Sequence, residues 1–408
     1  MCVSMRAAPH GAAQCCCGQH GSSAHLKHRL DLALTGTALH GARRTRIQPS
    51  QTNLHPVQPR RMSRPSLLAL TLSLALACEP STAEPDASME TRDAHIESAD
   101  VFVPPGVDAH VATDAQASLD AGFEDIVIDD AMVPPEAALY TLDGTRYGIR
   151  EITRALDAVT TAPGADNVIL YVHGRACGGG GEPMKSLAGA MPDMARDYSA
   201  VPIMLFWPGS DDSCPLGFPE DRALASGPAL AVVLGDLYRD EHTHPERRAR
   251  LHFTLITHSM GSLVLEGASR VAGVERLPPS LFDTVIVNSG ASAARGHAAW
   301  LSGVHVGALQ FVTTNEGDNV LRAAGIGRGT RLGRDVSGET LTPAFTYVDF
   351  SANNVNHAYY LIGGQNGAGM TAFYTQAMNG LAFDFATSSG VNPMTMRDGA
   401  RVYVFNGR

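Results

Sequence analysis

Residues 251–265 constrain this chain more than any other stretch. They read Leu251-His252-Phe253-Thr254-Leu255-Ile256-Thr257, then His258-Ser259-Met260-Gly261-Ser262, then Leu263-Val264-Leu265. The first part is apolar and β-prone, long enough for one buried strand. The last part runs on to Ala268 and Val271 with a helix-compatible pattern. Between them a serine is followed by Gly261 and Ser262, small enough for a very tight strand-to-helix reversal. Such a turn lifts a hydroxyl above a sheet edge and aims the next backbone N–H groups at one spot.

The same strand–helix alternation recurs from about residue 137 onward. A hairpin is expected at Leu139–Tyr147, with Asp143-Gly144 supplying the positive-φ turn. Strands are expected over 167–172, 201–207, 251–257, 282–288, 309–313 and 345–350. Helices are expected over 149–158, 183–194, 220–238, 261–271 and 294–301, and again after His357. The run Arg401-Val402-Tyr403-Val404-Phe405 reads as an added edge strand. Unbroken apolar strands such as Val168-Ile169-Leu170-Tyr171-Val172 suit a sheet covered on both faces. The expected fold class is therefore α/β: a doubly wound, mainly parallel sheet flanked by helices.

The 408 residues exceed one ordinary domain, but they are unevenly composed. Residues 1–61 are rich in Ala, Gly, His and Arg, show no sustained period, and read as a disordered upstream extension. Their Cys15-Cys16-Cys17 run meets no partner ligands at a metal-site spacing. Residues 62–77 have a short basic start, an apolar core and small residues at the end, which describes a secretory signal peptide. The apolar run is too short for a comfortable membrane span. Ala75-Leu76-Ala77-Cys78 resembles the bacterial lipoprotein cleavage box, with Ala75 where that box usually has leucine. The resemblance implies a diacylated Cys78 and a membrane-surface anchor without a spanning helix; an ordinary signal peptide is the alternative. Residues 78–136 carry 15 Asp and Glu against the single Arg92, threaded with Ala, Ser and Pro. Such a segment buries too little apolar surface to offset its ordering entropy and reads as a disordered stalk before the domain at 137–408. The expected location is the cell envelope. No basic face survives past the N-terminal region, which excludes nucleic acid as a partner.

Ligands of such sheets bind at the carboxyl ends of the strands, and the loops there hold the unusual residues. They are His173-Gly174-Arg175-Ala176-Cys177 with Gly178 to Gly181, then Pro208–Cys214, Ser259, Asn315–Asn319 and Asn353–His357. A serine hydroxyl needs an adjacent base, itself oriented by a carboxylate. Ser259, Asp318 and His357 occur in the chain order used on this kind of sheet. Glu316 and the more distant Asp335 compete for the acid, and His297 and His305 precede it and violate the order. His258 adjoins the serine and is expected to turn its side chain away from it.

On these residues, over roughly 160–375, the chain resembles an α/β-hydrolase, within the bacterial esterase/lipase-like group with His-Ser-Met-Gly elbows. The resemblance implies Ser259 as nucleophile, His357 as general base and then acid, and Asp318 as its orienting partner. It implies an oxyanion hole made by the Met260 N–H with that of Gly174 or Arg175. The sequence departs from Gly-x-Ser-x-Gly at Thr257, so the motif depends on whether the tight turn forms with threonine there.

The expected activity is hydrolysis of a small-molecule or lipid carboxylic ester through an acyl-enzyme. An acyltransferase or amidase on the same triad, and an inactive scaffold serving as an envelope binding module, are the alternatives. No cofactor or metal is called for; His242-Thr243-His244 reads as loop histidines beside Pro245. Gly178–Gly181 lacks the Lys-Ser/Thr ending of a phosphate loop. Cys177 and Cys214 are the cysteines left in the mature domain, both on loops at the catalytic edge, and in an exported protein they are a candidate disulfide.

Overall fold

The computed structural model of the protein describes residues 128–161, 166–175, 183–209, 218–353, 355–361 and 367–406. The upstream extension, the signal peptide, Cys78 and the linker up to 127 lie outside those residues. So do Cys177, Cys214 and the glycine run 178–181.

The strands are β1 (Ala138–Thr141), β2 (Arg146–Gly148), β3 (Asn167–Val172), β4 (Val201–Phe206), β5 (His252–His258), β6 (Phe282–Asn288), β7 (Gly307–Thr314), β8 (Thr346–Asp349), β9 (Thr395–Arg397) and β10 (Ala400–Val404). They form one sheet in the order β2-β1-β4-β3-β5-β6-β7-β8-β10-β9. From β4 across to β10 every pairing is parallel. The β1–β2 hairpin and β9 close the two edges in antiparallel sense. Gly144 takes φ 84 in the hairpin turn, as the Asp-Gly pair requires.

The helices are α1 (Ile152–Thr160), α2 (Met184–Ala188), α3 (Ala190–Tyr198), α4 (Glu220–Ala225), α5 (Gly227–Thr243), α6 (Pro245–Arg250), α7 (Gly261–Ala268), α8 (His297–Leu301), α9 (Asn319–Ala324) and α10 (Ala368–Met378). They cover both faces of the sheet, because the strands are apolar on both. In β3, Val168, Leu170 and Val172 join a core with Leu156 of α1, Leu234 of α5 and Val264 of α7. Ile169 and Tyr171 point the other way, into a core with Met194 of α3 and Phe373 of α10. The two-residue period of a strand makes this division.

Several expectations are corrected. Residues expected as one helix over 183–194 form α2 and α3, which break at Gly189. The expected 220–238 helix divides into α4 and α5 at Ser226, where Pro228 lacks the N–H that a continuous helix needs. The C-terminal strand is not the sheet edge. β10 pairs with β8 on one side and β9 on the other, through a turn at Asp398 (φ 52) and Gly399 (φ 80). Residues 128–136, expected within the linker, are ordered. Ile128 is buried in the first core, the Asp129 carboxylate accepts from Ala131 N, and Arg150 pairs with Asp130 (2.5 Å).

Candidate active site

The chain passes from β3 to β4 on one side and returns to β5 on the other. Strand order reverses there, which opens a crevice beyond the carboxyl ends of β3 and β5. Val172 and Thr257 are partners at those ends. The residues that leave the sheet at this point are His173-Gly174-Arg175 and Ser259.

Ser259 sits between the end of β5 and the start of α7 with φ 52, in the left-handed region that a non-glycine residue rarely adopts. Its backbone is tied down on both sides. The Ser259 N–H donates to the Asn288 carbonyl (3.0 Å), and its own carbonyl accepts from Ala291 N (2.9 Å) and from the Ser262 hydroxyl (2.8 Å). Gly261 lies so close to β3 that a Cβ there would stand 2.4 Å from the Val172 carbonyl oxygen. Gly174 approaches from the neighbouring loop, where a Cβ would stand 2.9 Å from Ser259 Cβ. Thr257 does not prevent the turn. It stays within β5, fully buried, and its hydroxyl has no hydrogen-bond partner.

His173 shapes the loop that faces the serine. It is fully buried and stacked on Trp207. The Trp207 N–H donates to His173 Nε2 (3.2 Å), so Nδ1 carries the proton and donates to the Gly174 carbonyl (2.6 Å). In a planar trans peptide, that carbonyl direction turns the Arg175 N–H away from the His173 ring. Among the described residues the Met260 N–H donates to no backbone carbonyl.

His357 and Asp318 come together from loops 39 residues apart: His357 Nδ1 donates to Asp318 Oδ2 (2.6 Å). The Asp318 side chain is fully buried and that of His357 is 16% exposed. Asp318 has a second task. Its Oδ1 accepts from Leu321 N (2.9 Å), capping α9. Asn315 joins the loop of Asp318 to the loop of His357. Its carbonyl accepts from Asp318 N (3.0 Å), and its side-chain amide donates to the Val355 carbonyl (3.0 Å).

The rivals lie elsewhere. Glu316 is exposed, and the Asp335 carboxylate accepts from Ser337 N (2.7 Å). His297 is buried between the Ala294 carbonyl (2.6 Å) and the Tyr347 hydroxyl (2.8 Å), and His305 is exposed. His242 bonds the Tyr238 carbonyl and His244 the Asp240 carboxylate, and among the described residues no cluster has metal-ligand character.

Two contributors escaped the sequence reading. His258 is not idle: its ring packs 4.7 Å from that of His357 and 4.8 Å from that of Tyr360. Burial, then the neighbouring imidazoles of His357 and His173, hold its pKa well below the usual 6.5, so it is neutral. The other is the turn after β6, Asn288-Ser289. The Asn288 carbonyl receives the Ser259 N–H, and the Ser289 hydroxyl donates to the His357 carbonyl (2.8 Å). No motif marks that turn in sequence; its signal was its position at the carboxyl end of a core strand.

No family model and no curated protein matches the chain. Solved structures similar to it include carboxyl esterase 2 from the mycorrhizal fungus Tuber melanosporum, at 11% identity and TM-score 0.29, with 54% of this chain and 80% of that one covered. An esterase from Pyrobaculum calidifontis is similar at 12% identity and TM-score 0.29, over 68% and 95%. An alpha-beta serine hydrolase homologue from Coxiella burnetii is similar at 11% identity and TM-score 0.27, over 53% and 86%. The fold stands on the strand order and register above.

Proposed function

We propose that the protein is an α/β-hydrolase acting on carboxylic esters through an acyl-enzyme. One observation carries this reading: a serine in a strained turn at the strand-order reversal, and, 4.7 Å from the ring of its neighbour His258, a histidine whose Nδ1 is held 2.6 Å from a fully buried carboxylate. That bond fixes the His357 tautomer and leaves Nε2 to take the proton of the nucleophile. Ser259 attacks the ester carbonyl, and His357 receives the Ser259 proton and gives it to the departing alcohol. Water then attacks the acyl-enzyme with His357 again as base; the acyl–Oγ bond breaks, His357 returns the proton to Ser259, and the carboxylic acid leaves. The negative oxygen of each tetrahedral intermediate rests on the Met260 N–H and a second N–H from the His173–Arg175 loop. The His173–Gly174 bond makes Arg175 the better second donor, with Gly174 bringing the loop close enough.

A fluorophosphonate probe tests the nucleophile: label on the wild type and its loss in Ser259→Ala support the reading, whereas a folded wild type that takes no label defeats it and favours a binding scaffold. A chain-length series of p-nitrophenyl esters, with and without added alcohol or amine acceptors, separates esterase from acyltransferase and amidase. The proposal includes export and a lipid anchor on Cys78, tested by palmitate incorporation that Cys78→Ala should abolish. It also includes a Cys177–Cys214 disulfide; two free thiols in non-reducing mass spectrometry would remove that part.

A further inference from the structure

We infer that the turn Asn288-Ser289 is a positioning unit that holds nucleophile and base in register, an inference that rests on the Ser259–His357–Asp318 reading. The turn bonds the backbones of both. The Asn288 carbonyl accepts the Ser259 N–H (3.0 Å), and two residues beyond the turn Ala291 N donates to the Ser259 carbonyl (2.9 Å). On the other side the Ser289 hydroxyl donates to the His357 carbonyl (2.8 Å). Asn288 Nδ2 donates to Ser289 Oγ (3.1 Å), and because the His357 carbonyl can only accept, the Ser289 hydroxyl is the donor in that bond.

Asn288 is itself immobilised. It is fully buried, and its Oδ1 accepts from the Tyr374 hydroxyl (2.6 Å) and the Thr313 hydroxyl (3.1 Å). Thr313 in turn meets the Tyr359 hydroxyl (3.1 Å), two residues after His357. A fully satisfied buried network of this kind has one geometry.

Backbone strain supplies the second line of argument. Ser289 has φ 47, a conformation that glycine adopts without penalty. A turn needed only for chain reversal would relax with glycine. The serine here keeps the strain and spends its hydroxyl on the backbone of the base, the pattern expected where local strain serves a site. Misplacing a reacting group by about 1 Å lowers rate on the order of 100-fold, so a partial loosening reads out in kcat before it reads out in binding.

The test uses the full-length protein with p-nitrophenyl butyrate, fluorophosphonate labelling and the downfield NMR resonance of the His357–Asp318 proton. In Ser289→Ala, kcat and labelling rate should fall about tenfold, ~1.4 kcal/mol in the barrier, with KM within about twofold. The downfield resonance should move upfield or broaden. Ser289→Gly removes the hydroxyl and relieves the strained φ, so it folds even where the alanine variant fails. It should lose kcat in the same way. Wild-type kcat per folded molecule with an unmoved resonance in Ser289→Gly overturns the inference. With the wild type labelled at Ser259, that result defeats the positioning role alone; an unlabelled wild type defeats the triad reading and this role with it.

Discussion

Asp318 does two jobs with its two carboxylate oxygens, one bonded to His357 and the other to the first turn of α9. The jobs can be separated. Asp318→Asn keeps a capping oxygen, since asparagine caps as well as aspartate, but it removes the charge that stabilises the imidazolium in the proposed mechanism. Activity should fall about 10³- to 10⁴-fold with little change in melting temperature. Asp318→Ala should lose activity similarly and about 1 kcal/mol of stability as well; kinetics and calorimetry on the pair check both. Thr257 poses the opposite case. Its buried hydroxyl has no partner, and a buried donor without a bond costs about 1–3 kcal/mol. Thr257→Val, which keeps the shape, should therefore raise denaturant-derived stability by about 1 kcal/mol and leave the serine's reactivity intact.

At the scale of elements, the site depends on how closely α7 approaches β3. Gly261→Ala would place a methyl 2.4 Å from the Val172 carbonyl oxygen, backbone that cannot step aside. The helix must shift, at a cost of about 1–3 kcal/mol for overpacking. The shift carries Met260 and Ser259 with it, so fluorophosphonate labelling should slow more than stability alone explains. Elements whose pattern is local were legible in sequence. The strands 167–172 and 282–288 were expected and are found over those same residues, because apolar β-branched runs bounded by polar residues have few other uses. The helix break at Gly189 was not legible, since apolar spacing continues across it, whereas the break at Ser226 carried a signal in Gly227-Pro228 that the apolar spacing overrode. The six-residue α6 and α9 are too short to show a period. The β9–β10 hairpin did carry a signal, the Asp398-Gly399 pair.

For the whole molecule, two buried histidines make stability depend on pH. Burial lowers the pKa of His258 far below 6.5 and that of His297 below 6.5. Once unfolded, each binds a proton at its ordinary pKa that the folded protein refuses. The unfolded state thus holds more protons at mildly acid pH, and stability is full above about pH 6.5 and declines as pH falls below it. The decline reaches at most ~1.4 kcal/mol per pH unit for each group. Calorimetry between pH 7.5 and 5 should show a falling melting temperature, with a shallower slope in His297→Gln; equal slopes would reject the assignment.

The sequence by itself determined the alternation of strand and helix, hence the parallel sheet, and the identity of Ser259, Asp318 and His357 as residues at strand ends. Those follow from patterns written within a few residues of each other. The tertiary structure decided which acid meets which base, because Glu316 and Asp318 differ by two positions but only Asp318 turns inward to His357. It decided that a threonine two residues before Ser259 is compatible with φ 52 there. It also brought the His258 ring and the Asn288-Ser289 turn against His357. Those contacts join β5, β6 and the loop after β8, and spacing along a chain does not encode distance across a sheet.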